Sequence, residues 1–219
     1  MNFSKSILSR LAELKVVAVF SVRTAEQAVS VAKALHEGGI KAIELTLRTA
    51  AGIDAVGVIG QQVPDMLLGV GTILTPEQAI AVKQAGAHFG LAPGMNPEVV
   101  RAAISVNLPF APGVATPSDL EAAIALGCRL VKLFPAAALG GVPYLKSMAT
   151  PYRHLGVQYI PLGGVNSENL ADYLAVPDVL CAGGSWIVKD DLVEAEDWNS
   201  ITERAAQVVA AINQGGACL

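Results

Sequence analysis

Short apolar segments rich in Val, Ile and Leu recur along the whole chain, and a helix-like segment follows each of them. The strand candidates read VVAVFSV from Val16, AIELTL from Ala42, LLGVGT from Leu67, FGLAPG from Phe89, PFAPGV from Pro109, LVKLFP from Leu130, YIPLGG from Tyr159 and VLCAGGSW from Val179. One unit returns about every 20 to 30 residues, the length of a strand with its return helix.

The helical segments carry their own start and stop signals. TAEQAVSVAKALHEGG, TPEQAIAVKQAGA, NPEVVRAAISVN and TPSDLEAAIALG open on Thr24, Thr75, Asn96 and Thr116 as N-caps, with Pro76, Pro97 and Pro117 at the first helical position. Gly38, Gly86 and Gly127 fall where these helices should stop. Eight such units predict an α/β chain folded as a single (β/α)8 TIM barrel, one domain over residues 1–219. An open doubly wound sheet is the alternative, but it normally has fewer strands and a glycine fingerprint after the first, which VVAVFSVRT lacks. The opening NFSKSILSRLAELK sets Phe3, Ile7, Leu8, Leu11 and Leu14 at helical spacing, which predicts an extra N-terminal helix covering one end of the fold.

Composition narrows the function classes. With 53% hydrophobic, 16% charged and 5% aromatic residues the chain suits a folded domain with an aliphatic core rather than a disordered one. A formal net charge of −4, without clustered Lys and Arg, argues against a nucleic-acid partner. No uncharged apolar run is long enough to cross a bilayer, so no membrane partner is expected. Cys128, Cys181 and Cys218 are odd in number and lack CxxC spacing, which points to reduced thiols in a cytoplasmic protein.

In a barrel the chemistry lies at the C-terminal ends of the strands. LVKLFPAAALGG places Lys132 inside a strand, where an ammonium is costly unless it is paired or gives up its proton, and a lysine that gives up its proton is a nucleophile. In AIELTLRT, alternation puts Glu44, Thr46 and Arg48 on one face, either as a buried ion pair that fills the barrel or as a carboxylate and a guanidinium aimed into a site. Thr72, Pro93 with Gly94, and Pro112 with Gly113 end the next three strands, where Gly and Pro are ordinary turn residues. Gly163, Gly164, Gly183, Gly184 and Ser185 fall at the last two strand ends, where backbone N–H groups, a hydroxyl and a helix N-terminus would bind phosphate. His36, His88 and His154 share no ligand spacing, so solvated or helix-end roles are expected and no metal site; Trp186 is expected to pack.

The ordered set IELTLRT, GVGTIL, APG, VKLFP, PLGG and GGSW resembles the family of 2-keto-3-deoxy-6-phosphogluconate (KDPG) aldolases, which includes 4-hydroxy-2-oxoglutarate (KHG) aldolases, from about Val16 to Val188. The resemblance implies a cofactor-free, metal-independent class I aldolase that cleaves KDPG to pyruvate and D-glyceraldehyde 3-phosphate, and KHG to pyruvate and glyoxylate. It implies Lys132 as the Schiff-base lysine and Glu44 as the proton-transfer residue. Arg48 and Thr72 would hold the pyruvate carboxylate, Pro93 and Phe134 would line its pocket, and a homotrimer is implied. Val131, Leu133 and Phe134 around Lys132, with Arg48 near, would favour the free amine. Two departures concern the substrate's far end: Leu162 stands where relatives carry Thr, and Ala137 and Leu139 replace Glu and Asn in FPAEANGG. Losing that hydroxyl leaves the preferred aldehyde and its stereochemistry open. Two other readings are a phosphate-binding isomerase or decarboxylase in which Lys132 merely neutralises substrate charge, and a catalytically dead binding barrel; imine formation separates them from the aldolase.

Overall fold

Each apolar run becomes a strand and each capped segment a helix in the computed structural model, which describes residues 3–215. The order is α1 (Lys5–Leu14), β1 (Val16–Phe20), α2 (Ala25–Glu37), β2 (Ala42–Thr46), α3 (Gly52–Gln62), β3 (Leu67–Gly71), α4 (Pro76–Gln84), β4 (Phe89–Leu91), α5 (Pro97–Ser105), β5 (Phe110–Ala111), β6 (Gly113–Val114), α6 (Pro117–Ala125), β7 (Leu130–Leu133), α7 (Gly141–Ala149), β8 (Gln158–Pro161), α8 (Leu170–Leu174), β9 (Ala182–Gly184), α9 (Asp190–Glu194) and α10 (Trp198–Gly215). A 3₁₀ turn spans Thr150–Leu155 between α7 and β8. Cys218 lies outside the described residues.

Every named strand pair is parallel. One sheet runs β5-β4-β3-β2-β1-β9 and a second runs β6-β7-β8. The fifth strand candidate is therefore two short segments rather than one, because Pro112 between them has no N–H to donate to a ladder. Its carbonyl still accepts from the Lys132 N–H at 2.9 Å, so the stretch hands over from β4 on one side to β7 on the other. At the far edge Tyr159 of β8 bridges Val179 in parallel, and the Leu180 N–H donates to the Tyr159 carbonyl at 3.0 Å.

Capping follows side-chain chemistry. The hydroxyls of Thr24, Thr75 and Thr116 accept from the N–H groups of Gln27, Gln78 and Asp119, and Asn96 accepts from Glu98. Gln78 and Asp119 reach back to complete capping boxes. Gly86 and Gly127 adopt positive φ just past their helices, whereas after α2 that conformation falls on Gly39 at 90° rather than on Gly38.

Strand alternation divides the core into two layers. Outward residues such as Ala18, Phe20, Ile43, Leu45, Val131 and Leu133 pack against the helices. Inward residues Val17, Val19, Ala42, Leu67, Phe89, Leu91, Ala111, Leu130 and Ile160 form a separate cluster with Phe3 and Leu11 of the N-terminal segment. Leu11 is fully buried, and Phe3 meets Phe89 at 6.1 Å between ring centroids. Since Ala42, Leu67, Phe89 and Leu130 begin their strands, α1 closes the end where the strands start and leaves the other end for chemistry. Among the described residues no helix is long and apolar enough to cross a membrane.

His88 is neither solvated nor at a helix end. Its Nδ1 accepts from the Leu68 N–H and its own N–H donates to the Leu68 carbonyl, both at 2.9 Å, so it staples the start of β4 to β3. Desolvation, and then the positive charges of Arg10 and Lys83, hold its pKa below the ordinary 6.5. The unfolded chain then binds the proton more readily, so this contribution to stability is present above the ordinary value and lost as pH falls through the folded one. Guanidinium unfolding of wild type should therefore weaken from about pH 7 to about pH 5, and more steeply than in His88→Gln. Parallel pH dependence in the two proteins would contradict this role.

Candidate active site

Lys132 is the third residue of β7 and Glu44 the third of β2, and both project to the inner face. They meet across the interior: Lys132 Nζ donates to Glu44 Oε1 at 2.9 Å, with Glu44 fully buried and Lys132 only 5% exposed. The pairing corrects one sequence expectation, since Arg48 is not Glu44's partner. β2 ends at Thr46, the chain bends with the Arg48 N–H donating to the Thr46 carbonyl, and the Arg48 side chain is exposed beyond the strand end. A two-residue period holds only while the strand lasts. Thr46 stays with Glu44, its hydroxyl 2.6 Å from that of Ser21 at the end of β1.

The desolvation of Lys132 also has a different source from the one expected. Val131 and Leu133 face the helices, while the residues that share the face of Lys132 are Leu130 and Phe134. The half-buried Phe134 ring lies 5.2 Å from Nζ, within cation–π range. The other Glu44 oxygen, Oε2, is buried and has no hydrogen-bond partner among the described residues. Buried carboxylate oxygens are rarely left so, and this one is free to accept from a water or a bound hydroxyl.

Glycines shape this interior. A Cβ on Gly71 would lie 1.8 Å from Glu44 Oε1 and 2.7 Å from its Cγ, so the second glycine of GVGT is the space the carboxylate occupies. Sequence reading missed that role; the register Thr46↔Gly71, two residues along the strand from Glu44 on the same face, is the signal that carries it. Gly113, paired with Lys132 across β6 and β7, admits the Pro93 carbonyl, which a Cβ would approach to 2.2 Å. Half-buried Pro93 is thereby brought beside the lysine strand. Thr72 follows β3 at φ 59°, a conformation that is uncommon for a β-branched residue and typical of sites held in place by their surroundings.

Of the two glycine pairs, Gly163 and Gly164 form the expected loop after β8, at φ 86° and 83°. Gly163 packs on the Phe134 ring, where a Cβ would come within 3.0 Å. Gly183 and Gly184 are not in a loop: both are buried within β9, glycine because Val17's carbonyl and the Trp186 ring approach them closely. Ser185, just beyond, is exposed. The expected helix N-terminus is also weaker than foreseen, since α8 and α9 have five residues each and Asn166 Oδ1 already accepts from the Glu168 and Asn169 N–H groups before α8. Leu162 is 3% exposed and belongs to the inner apolar cluster, which fixes the wall beside Gly183.

Other nucleophiles and ligands are set aside by their surroundings. Burial pushes the Cys181 thiol up to about 12 and raises that of Cys128, which leaves both unreactive. No group of three His, Cys, Asp or Glu among the described residues could hold a metal ion.

A buried lysine beside a carboxylate with one oxygen unpartnered among the described residues has the groups needed to form an imine and to move protons on it. Known proteins resemble this chain over nearly its whole length. A family model described as KDPG and KHG aldolase matches residues 7–204. The KHG/KDPG aldolase of Escherichia coli K12 is 41% identical over 208 residues, covering 95% of this chain and 97% of that protein. The 2-dehydro-3-deoxy-phosphogluconate aldolase of Haemophilus influenzae is 37% identical, covering 94% and 96%. Among solved structures, KDPG aldolase of Legionella pneumophila, with pyruvate captured at low pH as a covalent carbinolamine intermediate, superposes with a TM-score of 0.87 at 39% identity over 92% of this chain and 97% of that one. The Zymomonas mobilis KDPG aldolase with 3-phosphoglycerate follows at 0.84 and 32%, covering 92% and 94%. On the match of fold, ordered motifs and sequence over nearly its whole length, this chain belongs to the KDPG and KHG aldolase family.

Proposed function

We propose that this chain is a class I aldolase, a lyase that cleaves KDPG to pyruvate and D-glyceraldehyde 3-phosphate and also accepts KHG. The observation that carries the reading is the buried Lys132–Glu44 pair, with one Glu44 oxygen unpartnered among the described residues. The fold belongs to the same proposal: the handover at Pro112 and the bridge from Tyr159 to Val179 support a closed (β/α)8 barrel formed by a single domain, with α1 as its plug. The homotrimer and the cytoplasmic setting implied by the resemblance and by the unpaired thiols are carried with it.

The steps balance on these residues. Glu44 takes a proton from the Lys132 ammonium, and the free amine adds to the C2 carbonyl of the 2-keto acid to give a carbinolamine. Glu44 returns the proton to the departing hydroxyl as water leaves, and an iminium remains. Glu44 then takes the C4 hydroxyl proton while the C3–C4 pair of electrons moves into the iminium, which releases the aldehyde and leaves an enamine. Protonation at C3 and addition of water free pyruvate and regenerate the amine. The iminium is the electron sink, so the sequence of steps calls for no Lewis acid.

Arg48 and Thr72 at the strand ends bind the keto-acid carboxylate, the guanidinium in bidentate fashion, and turn its carbonyl towards Lys132. Pro93 and Phe134 wall the pyruvate pocket. Gly163 and Gly164, with the Ser185 hydroxyl just past the end of β9, receive the phosphate. That contact supplies binding energy away from the reacting carbons.

Pyruvate with borohydride tests the class: reduction should add a stable pyruvate-derived mass, mapped to the peptide containing Lys132. An isomerase or decarboxylase without imine chemistry would gain no mass. Glu44→Gln should still be trapped but turn over about 10² to 10⁴-fold more slowly, because the change removes proton transfer and little volume. An unchanged turnover rate would remove Glu44 from the mechanism.

A further inference from the structure

We infer that Arg204 is a positioning residue for the phosphate end of the substrate, acting through the Trp186 peptide rather than by touching the ligand. Arg204 stands half-buried on α10. Its Nη2 donates to the Trp186 carbonyl and its Nε to the Ile187 carbonyl, the latter at 3.1 Å. One planar guanidinium thus fixes two successive peptides immediately after Ser185, a grip a lysine cannot reproduce.

From there the packing is continuous to both glycine pairs. The Trp186 ring lies against Gly184, whose Cβ would come within 2.6 Å of the ring, while the same Cβ would be 3.0 Å from the Val165 carbonyl. Val165 directly follows the Gly163–Gly164 loop. Arg204, Trp186, Gly184 and Val165 therefore form one stack that sets the spacing between the two strand ends that would share a phosphate. The Trp186 Nε1 is buried with no hydrogen-bond partner among the described residues, so the indole is placed by its packing and by the hold on its carbonyl. Loosening that hold widens the cradle and leaves the Lys132–Glu44 pair, on other strands, undisturbed.

The inference rests on the reading of these loops as the phosphate site, and the comparison of two substrates separates the two claims. KDPG carries the phosphate and KHG does not, and both use the same lysine. In Arg204→Met, KM for KDPG should rise about tenfold with kcat within about twofold, the inhibition constant of inorganic phosphate should rise in parallel, and kcat/KM for KHG should hold. Arg204→Lys, which retains one charge-assisted bond, should fall between, and its split decides the matter where Arg204→Met does not fold. Equal losses on both substrates, or no change on either, would show Arg204 to be a packing element and overturn the inference. A wild type that is not inhibited by phosphate and gains nothing from the phosphorylated substrate would overturn the phosphate site itself, and this inference with it.

Discussion

Lys132→Met should abolish cleavage and, in addition, unfold more easily than wild type. The first effect follows from losing the proposed nucleophile, for which no other lysine is a substitute among the described inner-face residues. The second follows from Glu44, which is fully buried and hydrogen-bonded to Lys132 through Oε1 while Oε2 has no partner among the described residues. Removing one partner of a buried pair leaves an uncompensated charge, worth about 3–5 kcal/mol. The double variant Lys132→Met/Glu44→Gln, which carries no buried charge there, should recover much of that loss while remaining inactive. Denaturant unfolding of the three proteins and a pyruvate-release assay decide it. Retained cleavage in Lys132→Met would end the imine mechanism, and equal stability of wild type and Lys132→Met would show that the pair is not buried as described.

Gly71→Ala should be nearly as damaging to turnover, although Gly71 offers no chemical group. Its added methyl would occupy the position of Glu44 Oε1, and the Cγ is also within 2.7 Å, so the whole side chain must move away from Lys132. We expect kcat to fall about 10²-fold or more, the scale of losing a general base, with overpacking costing about 1–3 kcal/mol of stability. Because the effect runs through Glu44, Gly71→Ala and Glu44→Gln should be far from additive in kcat when combined. Additive losses would mean that Gly71 acts by another route.

The architecture was legible where the signals are local. Thr24, Thr75, Asn96 and Thr116 cap the helices foreseen because an N-cap depends on its own side chain and the next three residues. Lys132 and Glu44 stood out individually as charges within apolar strands, yet their partnership did not, since 88 residues separate them and only the curvature of the sheets brings them together. Of the two readings of Glu44 and Arg48, the buried ion pair fails because it extends a strand's period past the strand's end at Thr46. Placing Gly183 and Gly184 in a loop failed for a related reason. The closeness of Val17's carbonyl and of the Trp186 ring, which demands glycine inside β9, is set by neighbouring strands and not by the residues on either side.

The plug formed by Phe3 and α1 has a consequence for the order of events. With the strand-start end filled by Phe3, Leu11 and Phe89, the proposed closed barrel would leave Lys132 a single mouth, at the C-terminal ends of the strands. In the proposed reaction the carbon skeleton tethered to Lys132 would sit deepest, with the phosphorylated fragment between it and the exit. The aldehyde would therefore depart first, and the water that hydrolyses the imine would arrive through the space it vacates. A closed floor turns a cleavage into a queue: the fragment without a covalent hold clears the way for release of the one that has it.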